Sequence, residues 1–149
     1  MSELFNGVTL KLRDGKEVDG GEYLKDKVVG LYFSASWCPP CRAFTPKLKR
    51  FYEALKKDHP EFEIVFVSRD RADNDLVTYF EEHMGEWTYI PFGNDLIQKL
   101  LAKYEVKTIP SMRIVKPDGT VVVKDARTEI QDKGEDVNEL FDEWMAFYN

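Results

Sequence analysis

The sequence predicts an α/β domain, and three observations carry that prediction. Two near-continuous apolar runs, "KVVGLYFSA" and "FEIVFVS", read as strands covered on both faces. Between them Phe44, Leu48, Phe51, Tyr52 and Leu55 recur at helical spacing, giving a strand–helix–strand unit whose crossover should be right-handed. Segments near both ends flank turn-forming residues and should add hairpins.

At the N-terminus "VTLKLRDGKEV" alternates apolar and polar residues around Asp14-Gly15, a pair suited to the positive φ angles of a hairpin turn. "GGEYLKD" offers a short turn or helix before the first buried strand. The long helix should run to about Asp58, where His59-Pro60 ends it. Pro46 interrupts it: proline has no N–H for the Arg42 carbonyl, so a kink is expected about one turn after Cys41. Leu76, Tyr79, Phe80 and Met84 mark the next helix, followed by an irregular "GEWTYIPFGND" and a helix carrying Leu96, Ile97, Leu100 and Leu101. "SMRIV" and "TVVVKD" flank Pro117-Asp118-Gly119 and read as an antiparallel hairpin. Val137, Leu140, Phe141, Trp144 and Tyr148 form the apolar stripe of a last helix.

With 149 residues, 43% hydrophobic and no obvious linker, residues 1–149 are expected to form a single domain. A net charge of -6 gives no overall electrostatic reason to expect nucleic acid or an acidic membrane as partner. The lysines of "KLKRFYEALKK" read as the solvated face of a helix. The first thirty residues lack a basic stretch followed by an apolar one, and no run approaches the roughly 18 apolar residues of a membrane span, so a soluble, intracellular protein is expected.

Both cysteines lie in "SASWCPPCRAFTP". In a reducing compartment such a pair is catalytic or metal-binding rather than a structural bridge. A single C-x-x-C lacks the four ligands that structural zinc requires, so no metal site is expected. Cys38 follows a strand and begins a helix, where unpaired N–H groups and the helix dipole stabilise a thiolate, the species that attacks disulfides. Cys41, three residues on along the same face, is close enough for an intramolecular disulfide. The cycle that follows has Cys38 attack a substrate disulfide and Cys41 resolve the mixed disulfide. Pro39 and Pro40 donate no N–H and hold the turn rigid.

Trp37 is expected as a partly exposed wall beside the nucleophile. His59 and His83 lack evident partners and read as surface residues. Pro110 in "TIPS" precedes a strand-like segment. A cis Ile109–Pro110 bond would expose the Ile109 backbone for pairing with an extended substrate beside Cys38.

"WCPPCRAFTP", "VSRD", "WTYIPF" and "TIPS", in that order, resemble the thioredoxin superfamily, and within it the tryparedoxin and nucleoredoxin branch, from about Phe5 to Tyr148. The resemblance implies a thioredoxin-like fold with a central mixed sheet flanked by helices, beside the N-terminal hairpin. It implies dithiol–disulfide oxidoreductase activity, with Cys38 as nucleophile, Cys41 as resolving thiol and Pro110 cis, and it places Trp37, Trp87 and Pro91 near the site. Two positions depart from family patterns. Tyr32 stands where ordinary thioredoxins carry a buried aspartate that assists proton transfer, as in the tryparedoxin branch, and Arg69 stands where tryparedoxins tend to have tryptophan. Tyr32, Arg42, Arg69 and Trp87 are therefore candidate modulators, and Trp37, Pro39, Pro40, Ile109 and Pro110 candidate substrate-binding residues.

The expectation is a monomeric cytoplasmic protein, with the nucleus as a second location, that reduces oxidised protein disulfides of peroxiredoxin-like or signalling partners. It should need no bound cofactor, taking electrons from glutathione, trypanothione or a thioredoxin reductase. The alternative is a redox-sensitive binding module of nucleoredoxin type with little turnover.

Overall fold

The computed structural model describes residues 3–148. Strands β1 (Thr9–Lys11), β2 (Glu17–Asp19), β3 (Val28–Ser34), β4 (Phe62–Ser68), β5 (Thr88–Tyr89), β6 (Ser111–Val115) and β7 (Val121–Val123) form one mixed sheet. Their order is β2-β1-β5-β4-β3-β6-β7. β3 and β4 are parallel in the register Val28↔Phe62 to Ser34↔Ser68, and β5 continues the parallel set. β6 and β7 add the antiparallel hairpin on the other side of β3.

Every residue of β3 and β4 is buried, because helices cover both faces of the sheet and the strand pleat sends alternate side chains to each. Val28, Tyr32, Phe62, Ile64 and Phe66 face α2 (Pro39–Asp58), α3 (Asp73–His83), α5 (Ala126–Lys133) and α6 (Val137–Tyr148). Val29, Leu31, Phe33, Val65 and Val67 face the N-terminal segment and α4 (Leu96–Lys103). Each large side chain so buried contributes about 1.5–3 kcal/mol. A β-carbon at Gly30 would stand 2.3 Å from the Met112 methyl, so the end of that side chain would have to shift to admit one. The single charged residue of β4, Glu63, is paired with Lys56 at 2.8 Å and accepts from the Tyr52 hydroxyl at 3.0 Å.

The N-terminal hairpin turns at Asp14 and Gly15, with φ of 66° and 75°, and α1 (Gly20–Tyr23) follows it. Arg13 clasps the hairpin to the body of the molecule. Its guanidinium donates to the carbonyls of Glu81 and, at 2.6 Å, Met84, at the C-terminal end of α3, and Nε pairs with Glu86 at 2.9 Å.

Two elements differ from the sequence expectation. "GEWTYIPFGND", expected irregular, contains β5, whose two residues are too few for periodicity and are ordered by pairing with β4 and, at Lys11↔Tyr89, with β1. α5 has no counterpart in the sequence reading, because only Ala126 and Ile130 are buried and no apolar stripe forms. Its signals are local: the Asp125 side chain accepts from Thr128 N–H at 3.2 Å, and Gly134 ends the helix against the Ile130 carbonyl.

Candidate active site

Cys38 leaves the end of β3 as the N-cap of α2, and Pro39 and Pro40 fill first-turn positions that need no N–H. The Cys38 sulfur accepts from Cys41 N–H at 3.3 Å. The two cysteines are joined as a disulfide with their Cα atoms 5.2 Å apart. Cys38 is 5% exposed and Cys41 fully buried, so an incoming group meets Cys38 first.

β3 is flanked by β4 and β6, and so, therefore, is the site. On the β6 side the Ile109–Pro110 peptide is cis, and the Ile109 carbonyl oxygen stands 3.7 Å from the Cys38 sulfur. On the β4 side lies the loop carrying Arg69, Asp70 and Arg71. Trp37 leans on that loop: it is 51% exposed, its Nε1 donates to the Arg69 carbonyl at 3.3 Å, and the Arg71 guanidinium sits 5.4 Å over its ring.

Beneath the cysteines is a buried cluster of hydroxyls. Thr45 Oγ1 lies 2.7 Å from the Tyr32 hydroxyl and 2.7 Å from that of Tyr79, and donates to the Cys41 carbonyl at 2.9 Å. The Tyr79 hydroxyl in turn meets Ser34 Oγ at 2.8 Å. Burial raises the Tyr32 pKa far above its ordinary value, and the Tyr79 hydroxyl reinforces the shift, so Tyr32 stays neutral.

Asp70 holds the turn that leads to Cys38. Its carboxylate accepts from Ser36 N–H at 2.9 Å, Ser36 Oγ at 2.5 Å and Ser68 Oγ at 2.7 Å. Arg42 braces the same turn by donating to the Ser36 carbonyl at 3.1 Å.

The structure thus gathers Trp37, Pro39, Pro40, Arg42, Arg69, Ile109 and Pro110 around the cysteine pair, with Tyr32 below it. Trp87 is fully buried in the core, its ring edge-on to Tyr52 with centroids 5.1 Å apart. Neither histidine is without partners. His83 Nε2 lies 3.1 Å from Arg42 Nη2, and His59 stacks on Phe141 and meets Glu61 at 3.3 Å. Sequence reasoning passed over Asp70, Thr45 and Tyr79. Only Asp70 carries a local signal, a carboxylate directly after a buried strand. Among the described residues no group of three or more His, Cys, Asp or Glu side chains is placed to hold a metal ion, and no helix is long and apolar enough to cross a membrane.

A family model described as thioredoxin-like matches residues 26–121. The chain is 38% identical over 122 residues to the probable nucleoredoxin 1 of Arabidopsis thaliana, covering 79% of this chain and 21% of that protein. It spans less than a third of the length of the curated relatives that it matches. A thioredoxin structure from Wuchereria bancrofti is 45% identical with a TM-score of 0.83, over 97% of this chain and 98% of that one. A tryparedoxin II complexed with glutathionylspermidine is 33% identical with a TM-score of 0.79, over 89% and 91% of the two chains.

Proposed function

The chain belongs to the thioredoxin-like family, in its tryparedoxin and nucleoredoxin branch, and from that premise we propose that it is a protein dithiol–disulfide reductase. The observation that carries the reading is the placement of Cys38. It combines a helix N-terminus, a donor from Cys41 N–H at 3.3 Å, and the Ile109 backbone 3.7 Å away. In the reduced protein the helix N-terminus and that N–H favour the Cys38 thiolate.

The thiolate attacks one sulfur of the substrate disulfide. A Cys38–substrate bond forms, the substrate bond breaks and the first substrate thiol leaves. Cys41, as thiolate, attacks the Cys38 sulfur and the second thiol leaves. Two electrons and two protons have then passed to substrate, and the protein is left with the Cys38–Cys41 disulfide. An external thiol or reductase resets it, and no bound cofactor is required. The tryparedoxin II complex supports a glutathionyl thiol as the reductant class.

Insulin-disulfide reduction tests the reading, with glutathione plus its reductase, trypanothione plus its reductase, and thioredoxin reductase as alternative electron sources. Turnover that depends on Cys38 is expected with one of them. No turnover with any source would replace the reading with that of a redox-switched binding module, which the nucleoredoxin relatives favour.

A further inference from the structure

We propose that the groove between the loop carrying Arg69 and Arg71 and the segment from Phe92 to Gln98 docks an acidic stretch of the substrate protein. In it the two arginines read carboxylates beside the attacked disulfide. The inference rests on the reductase reading and adds a substrate class to it.

The groove has a volume of about 490 Å³ and begins at Trp37, next in sequence to the nucleophile. Trp37 forms one wall, and Phe92, 42% exposed, is a second exposed aromatic among the lining residues. The charge comes from the loop. Asp70, between the two arginines, is buried and turns its carboxylate to Ser36 and Ser68, so it makes no ion pair with either guanidinium. Neither guanidinium is ion-paired among the described residues, and Arg71 is held over the Trp37 ring. The lining carries two arginines and two aspartates, Asp70 buried and Asp95 exposed, so its formal charge is zero and the selective element is the pair of exposed guanidiniums. Two unpaired cations beside exposed aromatic rings fit a peptide that carries carboxylates on an otherwise apolar or neutral stretch.

Sheet order supplies the direction. Cys38 follows β3, with Ile109 before β6 on one side and the Arg69–Arg71 loop after β4 on the other. A substrate strand lying on the Ile109 backbone and crossing Cys38 continues over Trp37 into the groove. Its acidic residues then fall within a few positions of the attacked cysteine.

The test uses three disulfide-linked peptide substrates, identical except that the residues flanking the cysteine are Glu/Asp, Ser or Lys. For the wild-type protein kcat/KM should favour the acidic over the basic peptide by about tenfold at low ionic strength, and about 0.5 M salt should erase most of that ratio. The ratio should collapse in R69E/R71E and persist in K47E/R50E, which makes the same charge change on the exposed face of α2. In parallel, cysteine-free acidic and basic peptides are titrated against the oxidised protein while tryptophan fluorescence is followed. The acidic peptide should bind more tightly in wild type and lose that advantage in R69E/R71E. Equal use and equal binding of acidic and basic peptides overturns the proposal, as does an acidic preference that survives in R69E/R71E. A preference for glutathione disulfide over every peptide also overturns it, in favour of a small-thiol site. If no disulfide is turned over, the reductase reading fails, and the binding titration still decides whether the groove selects acidic peptides.

Discussion

Tyr32 and Thr45 meet hydroxyl to hydroxyl at 2.7 Å under the cysteine turn, joining the central strand to the helix that carries both thiols. Thr45 is the hub, because the same oxygen serves Tyr79 and the Cys41 carbonyl. Thr45→Val keeps the shape and removes the hub, leaving the Tyr32 hydroxyl short of its partner in a buried site. The variant should be destabilised by about 1–3 kcal/mol. Urea unfolding measures this. In Tyr32→Phe, which deletes the stranded hydroxyl, the added cost of Thr45→Val should be smaller.

Cys41→Ser should arrest the cycle at the mixed disulfide, because the buried resolving sulfur is gone while Cys38 keeps its helix N-terminus. Mass spectrometry of the variant with a disulfide peptide should show a covalent adduct through Cys38. Cys38→Ser should show none and should lose turnover altogether.

Asp70→Ala leaves Ser36 N–H and Ser68 Oγ without their acceptor at the turn preceding the nucleophile. A stability loss of about 1–3 kcal/mol is expected, with a several-fold fall in kcat/KM for insulin reduction. Asp70→Asn, which keeps one acceptor oxygen, should recover part of both. Urea unfolding and the insulin assay on the same preparations check this.

The Tyr104 hydroxyl donates to the Gly119 carbonyl at 2.6 Å and so ties α4 to the β6–β7 turn. Burial, with the Asp118 carboxylate adding to it, pushes its pKa from 10.0 to about 12. The folded state therefore holds this proton more tightly than the unfolded chain does. The resulting stability is full below pH 10 and declines as pH rises from 10 toward 12. Tyr104→Phe should be less stable than wild type by about 1 kcal/mol at pH 7, for the lost hydrogen bond. The gap should narrow across that alkaline window, as thermal melts at several pH values would show.

Legibility in the sequence followed burial. β3 and β4 could be read because strands covered on both faces become unbroken apolar runs, and α2 because one of its faces lies on them. β5 could not, since two residues carry no period and partner strands impose its order. α5 could not, since it buries two small or aliphatic residues and leaves its other faces to water. The same division runs through the site. Cys38 and Cys41 sit three apart and declare themselves. Asp70, Thr45 and Tyr79 come from three separate segments, the loop after β4, α2 and α3, and only the packing of those helices against β3 and β4 brings them close to one turn. Tyr32 stands out in the sequence by what it replaces, whereas its hydroxyl bond to Thr45 exists only in the fold.

The Arg13 clasp bears on where this chain can be cut. The family match begins at residue 26, beyond the N-terminal hairpin. Yet that hairpin pairs with β5, and Leu10 on it and Phe5 just before it lie in the core on the α4 face. A chain trimmed to the matched residues would present the outer side of β5 as a bare strand edge above uncovered apolar surface, the template from which intermolecular pairing grows. The hairpin thus covers that edge of β5, and Arg13 ties it to the end of α3.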